Sequence, residues 1–167
     1  MLLGKKILVI IPSRSKSKGL KNKNIRKINS TPLLGLTGIF TSKLKFVDEC
    51  VISTDSLKYQ KIAAAYNINS YFLRPAYLSG PLISDIEVID HALEFTEKYN
   101  REKYDVVVYL QPTSPLRRKN DITKAVKHLI NNIKYPPFKQ DTWRNFEAQC
   151  GRGTKAHFRT AAVLVSQ

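Results

Sequence analysis

Two uninterrupted apolar runs, Ile7 to Ile11 and Val106 to Leu110, constrain the fold more than any other feature of the chain. Both are rich in β-branched residues and neither alternates with polar ones. A strand of that character is covered on both faces, as in a parallel sheet with helices packed against each side. Pro12 bounds the first run, and the uninterrupted apolar character of the second predicts a central position.

Between and after these runs the chain alternates strand with helix. A helix is predicted from Ser30 or Thr31 as cap, with Pro32 in its first turn and Leu34, Thr37, Gly38, Phe40 and Thr41 at helical spacing. It ends near Lys43 to Lys45, where cations suit the negative helix pole. Cys50 to Thr54 reads as a second strand. Asp55 or Ser56 then caps a helix to about Tyr66, and Tyr71 to Leu73 reads as a short third strand. Ile86, Ile89 and Leu93 mark a helix reaching Tyr99, and Ile122, Ala125, Val126, Leu129 and Ile133 line one side of a helix from Asp121. The fold class is α/β: an open, mostly parallel sheet with helices on both faces, Rossmann-like in layering. Ligands of such sheets sit beyond the carboxyl ends of the strands. The loops after Ile11 and after Leu110 both leave at that edge.

Composition bounds the function. The 167 residues are 43% apolar, enough for one compact core. No run approaches the ~20 apolar residues of a membrane span. The first apolar run stops at Pro12 without a small-residue cleavage site, which argues against a secretory leader. With only Cys50 and Cys150, a reducing, cytoplasmic home is expected.

Charge is unevenly placed. Residues 1 to 47 hold eleven basic residues and no acidic one, within a net charge of +15. Such a field suits a polyanion: a triphosphate, an anionic sugar or nucleic acid. Scattered lysines read as solvated surface, but Arg14, Lys16, Lys18, Lys21 and Lys23 are dense enough to be a site. No helix-turn-helix, zinc-finger or RNP pattern accompanies them, so nucleic acid ranks last. His91, His128 and His157 have no acid or cysteine at ligand spacing and read as structural or exposed.

The segment Pro12-Ser13-Arg14-Ser15-Lys16-Ser17-Lys18-Gly19-Leu20-Lys21-Asn22-Lys23-Asn24 follows a strand end with cations, a glycine and potential amide donors, the materials of a phosphate cradle. It is not a Walker loop. It resembles the PARSGSKGLxxKN signature of the acylneuraminate cytidylyltransferases, the CMP-N-acetylneuraminic acid synthetase family, with Ser13 for Ala and Lys16 for Gly. Further matches follow in order: Pro32-Leu33-Leu34; Val51-Ile52-Ser53-Thr54-Asp55-Ser56; Leu73-Arg74-Pro75 with Leu78-Ser79; and Leu110-Gln111-Pro112-Thr113-Ser114-Pro115-Leu116-Arg117, the family's LQPTSPLR without a mismatch.

The resemblance implies a nucleotide-diphospho-sugar transferase-like fold and a reaction between CTP and an acidic nonulosonic sugar. In it the anomeric hydroxyl attacks the α-phosphate and pyrophosphate leaves, assisted by Mg²⁺. Carried over by position, Arg14, Lys18 and Lys23 look like triphosphate ligands, with loop amides around Ser17 and Gly19 assisting. Asn24 and Arg74 resemble cytidine-contacting positions, and Ser84 or Asp85 falls where relatives touch the nucleotide. Gln111 looks like a sugar contact, and Thr113 and Ser114 either shape that pocket or form the turn that ends the strand. Asp55 is read as a helix cap rather than a site residue. The family also implies a homodimer.

The sequence departs from this pattern in two places. Relatives often carry an aspartate near Pro81, absent here. Their aspartate-rich, Mg²⁺-holding motif also has no counterpart, so the metal ligands are not identifiable; Asp85 with Glu87 reads instead as the opening of a helix. Residues 1 to 133 therefore form the expected core and 134 to 167 an atypical tail. Fifteen isoleucines precede residue 134, a density that would place about four in the tail, which has none. Either Phe158 to Val163 is a remote form of the family's FRPNGAIY segment after a shortened insert, or the tail is foreign, from truncation or a frameshift. A remnant that binds nucleotide without turnover is the alternative expectation.

Overall fold

A computed structural model describes residues 1–16 and 19–132, together with the backbone of 154–155 and 161–165. Strand β1 (Ile7–Pro12) is followed by the basic loop, a 3₁₀ turn (Lys23–Ile25) and a two-residue hairpin, β2 (Lys27–Ile28) with β3 (Thr31–Pro32). Next come α1 (Leu33–Ser42), β4 (Glu49–Ser53) and α2 (Leu57–Ala64), a 3₁₀ turn (Ala76–Leu78), α3 (Asp85–Asn100), β5 (Val106–Leu110) and α4 (Lys119–Asn132). Strands β6 (Thr154–Lys155) and β7 (Ala161–Val165) complete the main sheet, whose order is β4-β1-β5-β7-β6. Within the main sheet every pairing is parallel except β6 with β7.

The central strands behave as their composition requires. Ile7 to Ile11 and Val106 to Leu110 are buried throughout, and alternate residues face opposite layers. Ile7, Val9, Ile11, Val106, Val108 and Leu110 share a core with Leu34, Tyr59, Ala63, Ile122, Val126 and Leu129 of α1, α2 and α4. Leu8, Ile10, Val107 and Tyr109 pack with Val88, Ile89, Ala92 and Leu93 of α3. Each such aliphatic side chain contributes about 1.5–3 kcal/mol by leaving water. The sheet is thus covered on both faces, and its parallel strands β1, β4 and β5 all deliver their loops to one edge.

Local differences from expectation have local causes. The helix predicted from Ser30 starts at Leu33, because Asn29 (φ 45°) and Ser30 (φ 69°) form the turn of the β2–β3 hairpin. Residues 71–73 make no ladder. The chain there bonds to β4 at Asn69 and, at Arg74, to Thr54 just beyond the strand, while the intervening Phe72 carbonyl accepts from Gln60 Nε2 at 2.7 Å. Helix α4 begins at Lys119, two residues before Asp121. Of the predicted tail, residues 134–153, 156–160 and 166–167 lie outside the described residues, as does Ile133. No described helix is long and apolar enough to cross a membrane.

Candidate functional site

The exits of β1 and β4 are bound together. Fully buried Ser13 donates its amide to the Ser53 carbonyl at 2.9 Å, and Thr54 Oγ1 donates to the Ser13 carbonyl at 2.6 Å. The Arg74 amide donates to the Thr54 carbonyl at 2.7 Å. Parallel neighbours end side by side, so the loop after β1, the loop after β4 and the segment entering residue 74 meet at one corner of the sheet.

Arg14 stands at this corner. Its Nη1 donates to the Gly80 carbonyl at 2.9 Å, and its own carbonyl accepts from Asn24 Nδ2 at 3.3 Å. Asn24 is therefore a buried strut from the 3₁₀ turn to the base of the loop. Lys23 begins that turn and is half-buried, while Lys16 is exposed. Gly19 is exposed, and a Cβ added there would meet nothing within 4 Å. Ser17 and Lys18 lie outside the described residues.

Asp55 corrects the helix-cap expectation. The N-cap of α2 is Ser56, with no side-chain cap bond. The Asp55 carboxylate instead accepts from the Ser15 amide at 2.6 Å and from Ser15 Oγ at 3.0 Å. Its partner lies forty residues earlier in the chain, so local spacing carried no signal for it.

Arg74, 5% exposed, crosses beneath the same corner. Its Nε donates to Ser53 Oγ at 3.1 Å and its Nη2 to the Ser53 carbonyl. Burial lowers its pKa, opposed by the negative charges of Asp55 and Asp85. Tyr109, near the end of β5, donates its hydroxyl to Asp85 Oδ1 at 3.0 Å. Burial first, then Asp85, pushes the Tyr109 phenol above its ordinary value, so it keeps the proton that it donates. Ser84 and Asp85 open α3. Ser84 accepts from the Glu87 amide while Glu87 accepts from the Ser84 amide, a reciprocal capping box. Glu87 is thereby committed to the cap.

Gln111, Thr113 and Ser114 follow β5, with the Ser114 amide donating to the Gln111 carbonyl at 3.2 Å in a turn. Thr113 is exposed and Ser114 is buried. These residues leave the same edge as Arg14 on the adjacent strand. Arg117, in the same loop, has its Nε and Nη2 buried without a hydrogen-bond partner, and burial lowers its pKa to about 10. Among the described residues, no group of three or more His, Cys, Asp or Glu could hold a metal. His91 packs against Phe72 and Phe95, and His128 contacts Asn132; His157 lies outside the described residues.

Residues 8–159 match the sequence profile of the family described as Cytidylyltransferase. The Campylobacter coli "Post-translational flagellin modification protein B" is 35% identical over 156 residues, 90% of this chain and 66% of that protein. The N-acylneuraminate cytidylyltransferase of Escherichia coli O18:K1:H7 is 39% identical over 131 residues, 78% of this chain and 30% of that protein. Among solved structures, a CMP:2-keto-3-deoxy-manno-octonic acid synthetase complexed with CTP shares the fold, with a TM-score of 0.65 at 17% identity over 79% of this chain and 50% of that one. The chain spans between 30% and 66% of the length of these proteins. A profile match over most of its residues, on a parallel sheet of the same architecture, shows that the chain belongs to the cytidylyltransferase family.

Proposed function

We propose that this chain transfers CMP from CTP to a sialic acid or related acidic nonulosonic sugar and releases pyrophosphate. The observation that carries this reading is the convergence of Arg14 and Arg74, from separate loops, on one strand edge beside a loop rich in lysine. The N-acylneuraminate cytidylyltransferase similarity supports the choice of substrates.

In this reading Arg14, Lys18 and Lys23 neutralise the triphosphate, and amides around Ser17 and Gly19 hydrogen-bond its oxygens. Asn24 and Arg74 hold the cytidine side through the local geometry that they brace. Ser84 and Asp85 border the nucleotide, and Gln111, Thr113 and Ser114 form the sugar side. The anomeric hydroxyl attacks the α-phosphorus, the bond from that phosphorus to the bridging oxygen breaks, and pyrophosphate departs. Catalysis of this kind consists mainly of alignment and charge neutralisation.

A magnesium ion typically binds substrate phosphates with one or two carboxylates rather than an all-protein cage. Both oxygens of Asp55 are engaged by Ser15 and Glu87 is engaged by Ser84, whereas Asp85 accepts from Tyr109 at Oδ1, so Asp85 would be the carboxylate to hold the ion, through Oδ2. When bound, the ion would supply further neutralisation of phosphate charge. A homodimer belongs to the same proposal.

The test is pyrophosphate release from CTP and Mg²⁺ with and without N-acetylneuraminate and related nonulosonic acids. Release dependent on one of these sugars is expected. CTP binding without release for any of them reduces the function to nucleotide binding, and no release with no binding overturns it.

A further inference from the structure

A fixed negative charge next to a triphosphate site works against its ligand, yet Asp55 stands at the root of the basic loop. Both of its oxygens accept from the residue following Arg14: the Ser15 amide at 2.6 Å and Ser15 Oγ at 3.0 Å. It is not used to start α2, whose N-cap has no side-chain bond. The neighbours of Ser15 are pinned as well. Ser13 is bound to Ser53 and Thr54, and the Arg14 carbonyl is held by Asn24. Three consecutive residues at the head of the loop are therefore anchored to two separate parts of the chain, residues 53–55 and Asn24.

We propose that Asp55 is a positioning residue that fixes the loop backbone at Ser15, so that Arg14 and the following amides are presented to the triphosphate of CTP in one conformation. The inference rests on the nucleotide-binding reading above. Hydrogen bonds to a carboxylate are short and strong. A loop held before the ligand arrives avoids the cost of ordering it on binding.

Charge and positioning predict opposite signs for one set of variants, read by calorimetric titration with CTP and Mg²⁺. Asp55→Ala removes both a charge and both bonds, whereas Asp55→Asn removes the charge but keeps an acceptor for the Ser15 amide. If Asp55 acted through charge alone, both variants would bind CTP more tightly. Positioning predicts about tenfold weaker binding for Asp55→Ala and recovery of most of that loss in Asp55→Asn. Ser15→Ala, which deletes only the Oγ bond, is expected to weaken binding about threefold and to have no further effect when Asp55 is already alanine. Exposed Asp90→Asn controls for net charge and leaves the affinity unchanged. Thermal denaturation confirms that each variant is folded at the titration temperature. If Asp55→Ala does not fold, Asp55→Asn and Ser15→Ala decide the matter.

Wild-type affinity in both Asp55→Ala and Ser15→Ala, or tighter binding in both Asp55 variants, overturns the proposal. A wild-type chain that does not bind CTP overturns the nucleotide reading itself, an outcome distinct from a missing difference among variants.

Discussion

The Tyr109 hydroxyl donates to the Asp85 carboxylate at 3.0 Å, joining the end of the central strand β5 to the first turn of α3. Tyr109 is 1% exposed, so the contact fixes one wall of the corner at which Arg14 and Arg74 meet. Tyr109→Phe keeps the packing and deletes the bond. Because Asp85 is exposed and can be rehydrated, the expected loss is about 1 kcal/mol, measured as a lower urea midpoint with an unchanged slope.

Alkaline pH should unfold the protein through groups held protonated by the fold. Burial, and secondarily Glu49, pushes the Cys50 thiol from 9.0 up to about 12. Burial, and secondarily the bond to Glu49, pushes the Tyr71 phenol from 10.0 up to about 12. A folded-state pKa raised above the unfolded value contributes stability that is complete below the unfolded pKa and lost as pH rises toward the folded one. Stability is therefore expected to hold to about pH 9 and to fall steadily toward pH 12. Urea midpoints across that range check the trend, and Cys50→Ala should flatten its first part.

Arg74 is expected to be intolerant even of lysine. Its planar guanidinium serves both Ser53 Oγ and the Ser53 carbonyl from a buried position, and a lysine ammonium cannot reproduce that fork. Arg74→Lys should cost about 1–3 kcal/mol, since a buried acceptor loses its donor. A depressed thermal midpoint checks this in the absence of any ligand.

Close packing of α1 sets a third limit. A Cβ at Gly38 would lie 2.7 Å from the Tyr66 backbone carbonyl and 2.9 Å from Ile68 Cδ1. Alanine gains about 1 kcal/mol in helix propensity, but relief of the clash requires main-chain movement. Gly38→Ala is therefore expected to lower stability by about 1–3 kcal/mol net. Ile39→Ala, at the exposed neighbouring position, should be close to neutral in the same denaturation assay.

How much of this was legible beforehand depended on whether the determining contact was local. Ile7 to Ile11 and Val106 to Leu110 announced a buried parallel sheet because their apolar composition is itself the consequence of coverage on both faces. Asp85 and Glu87 opening α3 were legible because negative charge suits a helix N-terminus and Glu87 finds its partner, Ser84, within one turn. The start of α1 was misplaced because Ser30 adopts a left-handed turn conformation that glycine or asparagine more often signals. The third strand failed because Gln60, on α2, takes the Phe72 carbonyl. Asp55 was read as a cap, its local role, because nothing near it in sequence points to Ser15. The basic loop was found by charge density and its motif; the anchors at Ser53, Thr54 and Gly80 come from distant parts of the chain and appear only in three dimensions.

Whether the corner of Arg14, Asn24 and Arg74 is a CTP site is measured most directly by calorimetric titration of CTP with Mg²⁺ into the wild type, Arg14→Ala and Lys23→Ala. Saturable one-to-one binding by the wild type, weakened about tenfold or more in each variant, is the expected result. Equal affinity in all three proteins, or no binding by the folded wild type, would contradict it.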